Sequence, residues 1–321
     1  MLKRLCLTFI GLVLGQGACA GEVLTVFPGV RLIAGQASLA AQPDGNTILI
    51  DAPQGLIVFD TGRHPEHTQQ ILEAAAASRQ PVRAIINSHW HLDHIGGNAL
   101  LREKYPEVRI YASSALEQAL GGFLADYRKQ LAGALDHAGS DERKQAPLRQ
   151  EIALIDAGKR LLPTDVISES GLRSIAGRML DVQLERDAVT AHDVWVFDVR
   201  SRVLLAGDLV TLPAPFLDTA CPTRWQTALN HVSVKRFRLL VPGHGAPMER
   251  HAFEIYRKAF ARFISCGSGT SPKGDCIDGW MNDGAELIPE KDRAYARALL
   301  GYYVDNVLRG DQQRLSKLCA A

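Results

Sequence analysis

A chain of 321 residues can bury a full hydrophobic core and hold one large domain or two. Its 46% hydrophobic and 22% charged content is ordinary globular material, not that of a disordered or fibrous chain. A formal charge of +1, with no basic run interleaved with aromatics, argues against a nucleic-acid surface.

The first twenty residues read as a leader. Met1-Leu2-Lys3-Arg4 is basic, Leu5 to Leu14 is apolar, and Ala18-Cys19-Ala20 offers small residues before Gly21. The apolar part is too short to span a membrane, so residues 1–20 are expected to be a secretory signal peptide cleaved after Ala20. The mature chain is then periplasmic or secreted, near −1 in charge once Lys3 and Arg4 are gone, and not inserted in a membrane. Cys19 raises a lipoprotein alternative, but Gln16 stands where such signals usually carry leucine. Cys221, Cys266, Cys276 and Cys319 remain, and an even count in an exported chain implies disulfides. Three connectivities are possible. Cys266 and Cys276 enclose a Gly/Ser/Pro/Lys loop and make the natural local pair, and Cys221 with Cys319 would then tie the tail to the core.

Taken in order, Glu22–Phe27, Val30–Gly35, Thr47–Asp51 and Leu56–Phe59 read as short strands between Gly/Pro turns. Pro65–Ser78 reads as a helix with Ile71, Leu72 and Ala75 on one face. An apolar strand, Val82 to Asn87, follows, then a helix from Asn98 to Tyr105 and a strand from Val108 to Tyr111. Alternating strands and helices predict an α/β class. From about 113 to 167 the character changes. Leu116, Leu120, Phe123, Leu124, Tyr127, Leu131 and Leu135 form a helical stripe, and Ser114 with Glu117 offers a capping box. A second helix is expected over Arg143–Leu161, so this insertion should be a helical hairpin serving as packing or as a lid. Arg178–Glu185, His192–Val199, Val203–Ala206 and Phe237–Val241 return to strand character. Trp225–Val232 is helical, and Arg250–Ile264 is an amphipathic helix carrying Phe253, Tyr256, Phe260 and Phe263. A last helix is expected over Glu290–Arg309, so 251–321 would be a helical extension of a domain spanning 21–250.

The chemistry concentrates in His89-Trp90-His91-Leu92-Asp93-His94, which directly follows the Val82–Asn87 strand and precedes Gly96-Gly97. His89 and His91 alternate as strand residues do and can face one way. Asp93 and His94 follow on the turn. Imidazoles with carboxylates suit zinc, and also iron or manganese. Trp90 beside them is placed to line a pocket. His64 and His67 flank a helix start and read as surface residues, and His137, His231 and His251 are expected outside the site.

These residues also resemble a family. H-x-H-x-D-H after a strand, preceded by Phe59-Asp60-Thr61-Gly62 and followed by Leu205-Ala206-Gly207-Asp208-Leu209-Val210 and Val241-Pro242-Gly243-His244-Gly245, resembles the metallo-β-lactamase-fold superfamily. The resemblance implies an αββα sandwich and a two-metal site for one or two zinc ions. His89 and His91 would serve one position, Asp93, His94 and His244 the other, and Asp208 would bridge them. Asp93 would also orient the attacking hydroxide, and Asp60 would fix a ligand histidine. One departure stands out. The family usually has a further histidine before the Asp208 motif, and here Val189 occupies that place. His192 would have to substitute, or else the first position is depleted and the working centre mononuclear.

The implied function is an exported metal-dependent hydrolase of an ester, lactone, thioester, amide or phosphoester, with a small-molecule substrate. The alternative is a metal-binding or partner-binding protein without turnover. Asp208 is the form of general hydrolases, where β-lactamases usually carry cysteine or histidine. Cys221 as a zinc ligand competes with its role in a disulfide. The Asp208–Pro222 stretch and the C-terminal cysteine segment most resemble a periplasmic branch that accompanies quinoprotein dehydrogenases, which implies a periplasmic protein partner.

Overall fold

The computed structural model describes residues 23–36 and 42–320; the expected leader lies outside them. Seven strands form the first sheet in chain order: β1 (Val23–Phe27), β2 (Val30–Ile33), β3 (Thr47–Ala52), β4 (Gly55–Phe59), β5 (Val82–Ile86), β6 (Arg109–Ala112) and β7 (Asp165–Val166). β1 to β4 are an antiparallel meander, and β4 to β7 run parallel. Parallel neighbours need crossovers. Helix α1 (Pro65–Ser78) joins β4 to β5, and α2 (Leu92–Ile95) and α3 (Asn98–Lys104) join β5 to β6.

The insertion between β6 and β7 carries α4 (Ala115–Gly121), α5 (Phe123–His137) and α6 (Glu142–Asp156). The hydrophobic stripe predicted one helix where two occur. Gly122, at φ −117° and ψ −103°, breaks it. The expected capping box is also absent. Ser114 is itself helical (φ −66°, ψ −15°), whereas an N-cap needs an extended backbone to aim its hydroxyl at the first turn. Asp141 does cap α6, accepting from the Arg143 amide at 3.1 Å.

The second sheet contains β8 (Gly171–Ile175), β9 (Arg178–Arg186), β10 (His192–Asp198), β11 (Val203–Thr211) and β12 (Leu239–His244), ordered β12-β11-β10-β9-β8. Only its β11–β12 pair is parallel, with α7 (Pro222–Ser233) as the crossover. The chain ends in α8 (Arg250–Ser268), α9 (Lys273–Asp283), α10 (Arg293–Tyr303) and α11 (Gln312–Leu318). A single helix was expected over Glu290–Arg309. Instead a short 3₁₀ turn precedes α10, and a wider π turn over Val304–Leu308 follows it. Among the described residues no helix is long and apolar enough to cross a membrane.

Period-two alternation explains how the layers stack. On β3 and β4, Ile48, Ile50, Ile57 and Phe59 face the second sheet, meeting Val182, Val194, Val196 and Leu205. Their neighbours Leu49, Leu56 and Val58 face the other way, onto Ile71 and Ala75 of α1 and Leu101 of α3. With both faces covered, these strands read as continuous apolar runs, as buried strands do. The outer face of the second sheet is covered by α7 and α8, and the result is an α/β sandwich of αββα layering. Phe253, Tyr256, Phe260 and Phe263 of α8 are buried as expected, in one cluster with Trp225 of α7, Trp280 of α9 and Leu300 of α10.

Two disulfides tie this end of the molecule, Cys266–Cys276 and Cys221–Cys319. This is the expected pairing, with Cys266 near the end of α8 and Cys276 near the start of α9, on either side of the turn that they enclose. Because Trp280 is 2% exposed and its indole donates to the Pro213 carbonyl at 3.0 Å, Trp280→Ala should cost about 3–5 kcal/mol. Urea unfolding of the disulfide-intact protein checks this, and a loss below about 1 kcal/mol would mean that α9 is a loosely attached appendage.

Candidate metal centre

The centre forms where the parallel strands of the two sheets end. β5 stops at Ile86, so His89 and His91 lie on the loop after it, and both turn into one donor group as expected. They belong to a loop that folds back on itself. The Thr61 amide and the Asn87 side-chain amide both donate to the His94 carbonyl, at 2.9 and 3.0 Å, and Asn98 pairs with Asn87. Asp208 lies on β11, a strand longer than its sequence suggested, and His244 closes β12. Gly243 is required between them, since a Cβ there would meet Asp208 Oδ1 at 2.0 Å. Asn46 holds the His244 loop by donating to the Pro242 and Gly245 carbonyls, both at 2.9 Å.

Two groups of potential metal donors result: His89, His91 and Asp208, and Asp93, His94 and His244. Within each group the donor atoms lie within 4.8 Å of one another. Asp208 also reaches the second group, with Oδ1 at 3.2 Å from His94 Nε2 and 3.5 Å from His244 Nε2, and its Oδ2 is 3.9 Å from His89 Nε2. His89 Nε2, His94 Nε2, His244 Nε2 and both Asp208 oxygens are buried without a hydrogen bond of good geometry. Each such atom would cost about 1–3 kcal/mol left unpaired. Five of them converging on one point, all nitrogen or carboxylate oxygen, fit divalent cations of the zinc type.

Neighbouring groups fix which nitrogen each imidazole presents. Asp60, at φ 58°, accepts from His94 Nδ1 at 2.8 Å and from the Ser88 amide and hydroxyl, each at 2.7 Å. Because the Ser88 hydroxyl donates to Asp60, it accepts from His89 Nδ1 at 2.9 Å, which leaves Nε2 bare. Asp60 thus orients two histidines, one directly and one through serine. Likewise Thr219 donates to the Val189 carbonyl at 2.9 Å and accepts from His91 Nε2 at 2.9 Å, so His91 turns Nδ1 towards the cluster. Burial holds His89 well below its ordinary pKa, as a neutral imidazole. It also works against the charged forms of Asp93 and Asp208, but His94 and His244 outweigh it and keep both carboxyls below the usual range. His94, despite burial, is held well above its ordinary value by Asp208, Asp93 and Asp60. A cation at its Nε2 would answer that negative field.

The remaining expectations fare unevenly. Val189 is fully buried and its carbonyl serves Thr219. His192 does not replace the missing imidazole. It starts β10, and its Nε2 lies 2.9 Å from the Arg186 guanidinium. Cys221 is committed to its disulfide. His137, His231 and His251 lie on exposed surface outside both donor groups. His67 is no surface residue: it is 3% exposed and bonded to Thr47 Oγ1 at 2.8 Å, while half-buried His64 pairs with Asp44.

Trp90 does line a cleft, together with His91 and Asp93, and the insertion borders it through α5. Two features escaped the sequence reading. Arg63, half-buried beside the centre, reaches Asp93 Oδ1 at 3.5 Å and Glu151 of α6. And α10 lines the same cleft through Tyr295, Leu299 and Tyr303. Arg63 directly follows the Asp60-Thr61-Gly62 stretch, which was the one available hint.

Asp60→Asn should lower zinc affinity about 10- to 100-fold, because the His94 and His89 rings both lose their anchor. Thr219→Val should weaken binding about 10-fold, with Thr219→Ser restoring it. Competition with a chromophoric chelator measures both; unchanged affinity in either would show that these hydrogen bonds do not orient ligands.

Comparison with known proteins agrees with this geometry. Residues 42–244 match the model of the metallo-beta-lactamase superfamily. A linear primary-alkylsulfatase from Pseudomonas sp. is 29% identical over 62% of this chain, and the match spans only 41% of that relative's length. A hydroxyacylglutathione hydrolase from Thermosynechococcus vestitus is 38% identical over 16% of the chain and 20% of its own. Among solved structures, a metallo-beta-lactamase from Pontibacter korlensis overlays 73% of the chain and 95% of itself at TM-score 0.54 and 19% identity. The metallo-beta-lactamase DIM-1 overlays 75% and 96% at TM-score 0.54 and 14% identity, so both speak for the fold alone. With the fold, the two donor groups and a family match over most of its length, the chain belongs to the metallo-beta-lactamase superfamily.

Proposed function

We propose that the chain is an exported metal-dependent hydrolase acting on a small ester, lactone, thioester, amide or phosphoester. The observation that carries this reading is the convergence of three unpaired buried imidazole nitrogens on the two unpaired oxygens of Asp208, which lies between two groups of ligand residues. His89, His91 and Asp208 would hold one ion and Asp93, His94, His244 and Asp208 the other, with zinc the best match to the donor set. Bound there, such ions lower the pKa of water and polarise the bond under attack. The protein's own part is orientation. Asp93, with Oδ2 at 3.0 Å from His244 Nε2 and Oδ1 towards Arg63, is held to steer the attacking oxygen. One relative is named a linear primary-alkylsulfatase and another a hydroxyacylglutathione hydrolase, which supports the reaction class without choosing a substrate. The two disulfides support export to an oxidising compartment.

The two positions are unequal in this reading. Val189 leaves the first with three ligands including the shared Asp208, while the second has three of its own besides. A mononuclear working enzyme follows if the first position fills only at high metal. Val189 also motivates the alternative, a metal-binding protein without turnover.

The deciding experiment is a screen of the zinc- and manganese-loaded mature protein against representative esters, lactones, thioesters, amides, phosphoesters and sulfate esters. Turnover that disappears on chelation and falls to background in His94→Ala and His244→Ala is expected. Turnover that persists in those variants contradicts the metal mechanism, and none on any substrate would favour binding without catalysis.

A further inference from the structure

Beside the metal centre lies a cleft of about 360 Å³, within the size range of small-molecule sites. It runs between the insertion and the C-terminal segment. Phe123 and Tyr127 of α5 form one wall, and Tyr295 and Leu299 of α10 the other. Trp90 and Phe216 line it next to the donor groups. Phe123 is 48% exposed at this edge, a large apolar side chain left uncovered by the fold.

The charged groups of the cleft are already engaged. Arg63, the cation among its described lining residues, faces two carboxylates, Asp93 and Glu151. Asp218 accepts from the Tyr303 hydroxyl at 3.0 Å and the Tyr302 hydroxyl at 3.4 Å. A charged group placed here would lose its hydration without gaining a free partner, whereas an apolar group would gain the whole lining.

From this we infer that the cleft holds an uncharged apolar group of the substrate, of medium aliphatic length or aromatic, while the scissile bond lies at the donor groups. Resting on the hydrolase reading, the inference names the substrate class: hydrolysable compounds with an uncharged hydrophobic arm. The selecting residues are Phe123 and Leu299, which lie on the two elements that flank the sandwich and not on the metal loops. Phe123 and Leu299 are specificity residues and touch no reacting atom.

The test uses p-nitrophenyl esters from acetate to decanoate with the metal-loaded mature protein. kcat/KM should rise roughly fourfold per methylene until the cleft is full. Phe123→Ala and Leu299→Ala should each reduce that gradient to less than about twofold per methylene. A second assay needs no turnover: the neutral dye Nile red is bound and displaced by straight-chain alcohols from butanol to decanol. Displacement should strengthen by a similar factor per methylene and weaken in the same variants. If no ester is hydrolysed but the alcohols follow this gradient, the ester form of the hydrolase reading falls and the cleft assignment stands. Hydrolysis with a flat gradient, a gradient the variants leave intact, or no binding of Nile red overturns the assignment.

Discussion

Three aspartates, 60, 93 and 208, lie at one end of the sandwich with between 0% and 5% of their surface exposed. Ionised carboxylates in that setting are costly unless positive charge or hydrogen bonds answer them. Asp60 is answered by Ser88 and His94, and Asp93 in part by Arg63. Asp208 has no hydrogen bond of good geometry, and three histidines, His89, His94 and His244, turn Nε2 towards it. Much of the local architecture follows from this. Gly243 leaves room for the Asp208 carboxylate, Asp60 in a left-handed backbone holds the His94 ring directly and the His89 ring through Ser88, and Thr219 turns a third. The two sheets supply the rigid frame on which loops from several strand ends converge.

The regions flanking the sandwich are coupled to that frame. Glu151 joins the insertion to Arg63 and so to Asp93. At the opposite side, the Asp218–Thr219 loop is gripped three ways by the C-terminal segment: Tyr303 on the Asp218 carboxylate, Arg314 on its carbonyl, and the Cys221–Cys319 bond. Thr219 in turn sets His91. The C-terminal helices therefore do two jobs, covering the second sheet and holding a residue that contacts the centre.

How much was legible in the sequence follows from contact distance along the chain. His89, His91, Asp93 and His94 fall within six positions, and one loop brings them together whatever the rest of the fold does. Asp208 and His244 were recognisable because the stretches that carry them, Leu205–Val210 and Val241–Gly245, resemble the family's motifs. The apolar runs of β3 to β5 announced buried strands in the same way. By contrast, Arg63 meets Glu151 across 88 positions and Thr219 meets His91 across 128, and no local pattern encodes such pairs. His67 was misread for a related reason. A histidine in the first turn of a helix looks exposed until another strand, here β3 with Thr47, packs over it. Gly121-Gly122 was visible in the hydrophobic stripe, but the stripe continues in phase across the break, and periodicity alone could not show it.

The central claim is that the centre is built for metal and is unequal between its two positions. Its most direct test is a zinc titration of the chelator-stripped mature protein, followed by calorimetry, with bound metal counted per chain. The account predicts one tightly held ion and a second bound more weakly by about tenfold or more, with His244→Ala abolishing the tight site and His89→Ala the weak one. Two ions of equal affinity would contradict the inequality, and no bound zinc at all would contradict the centre itself.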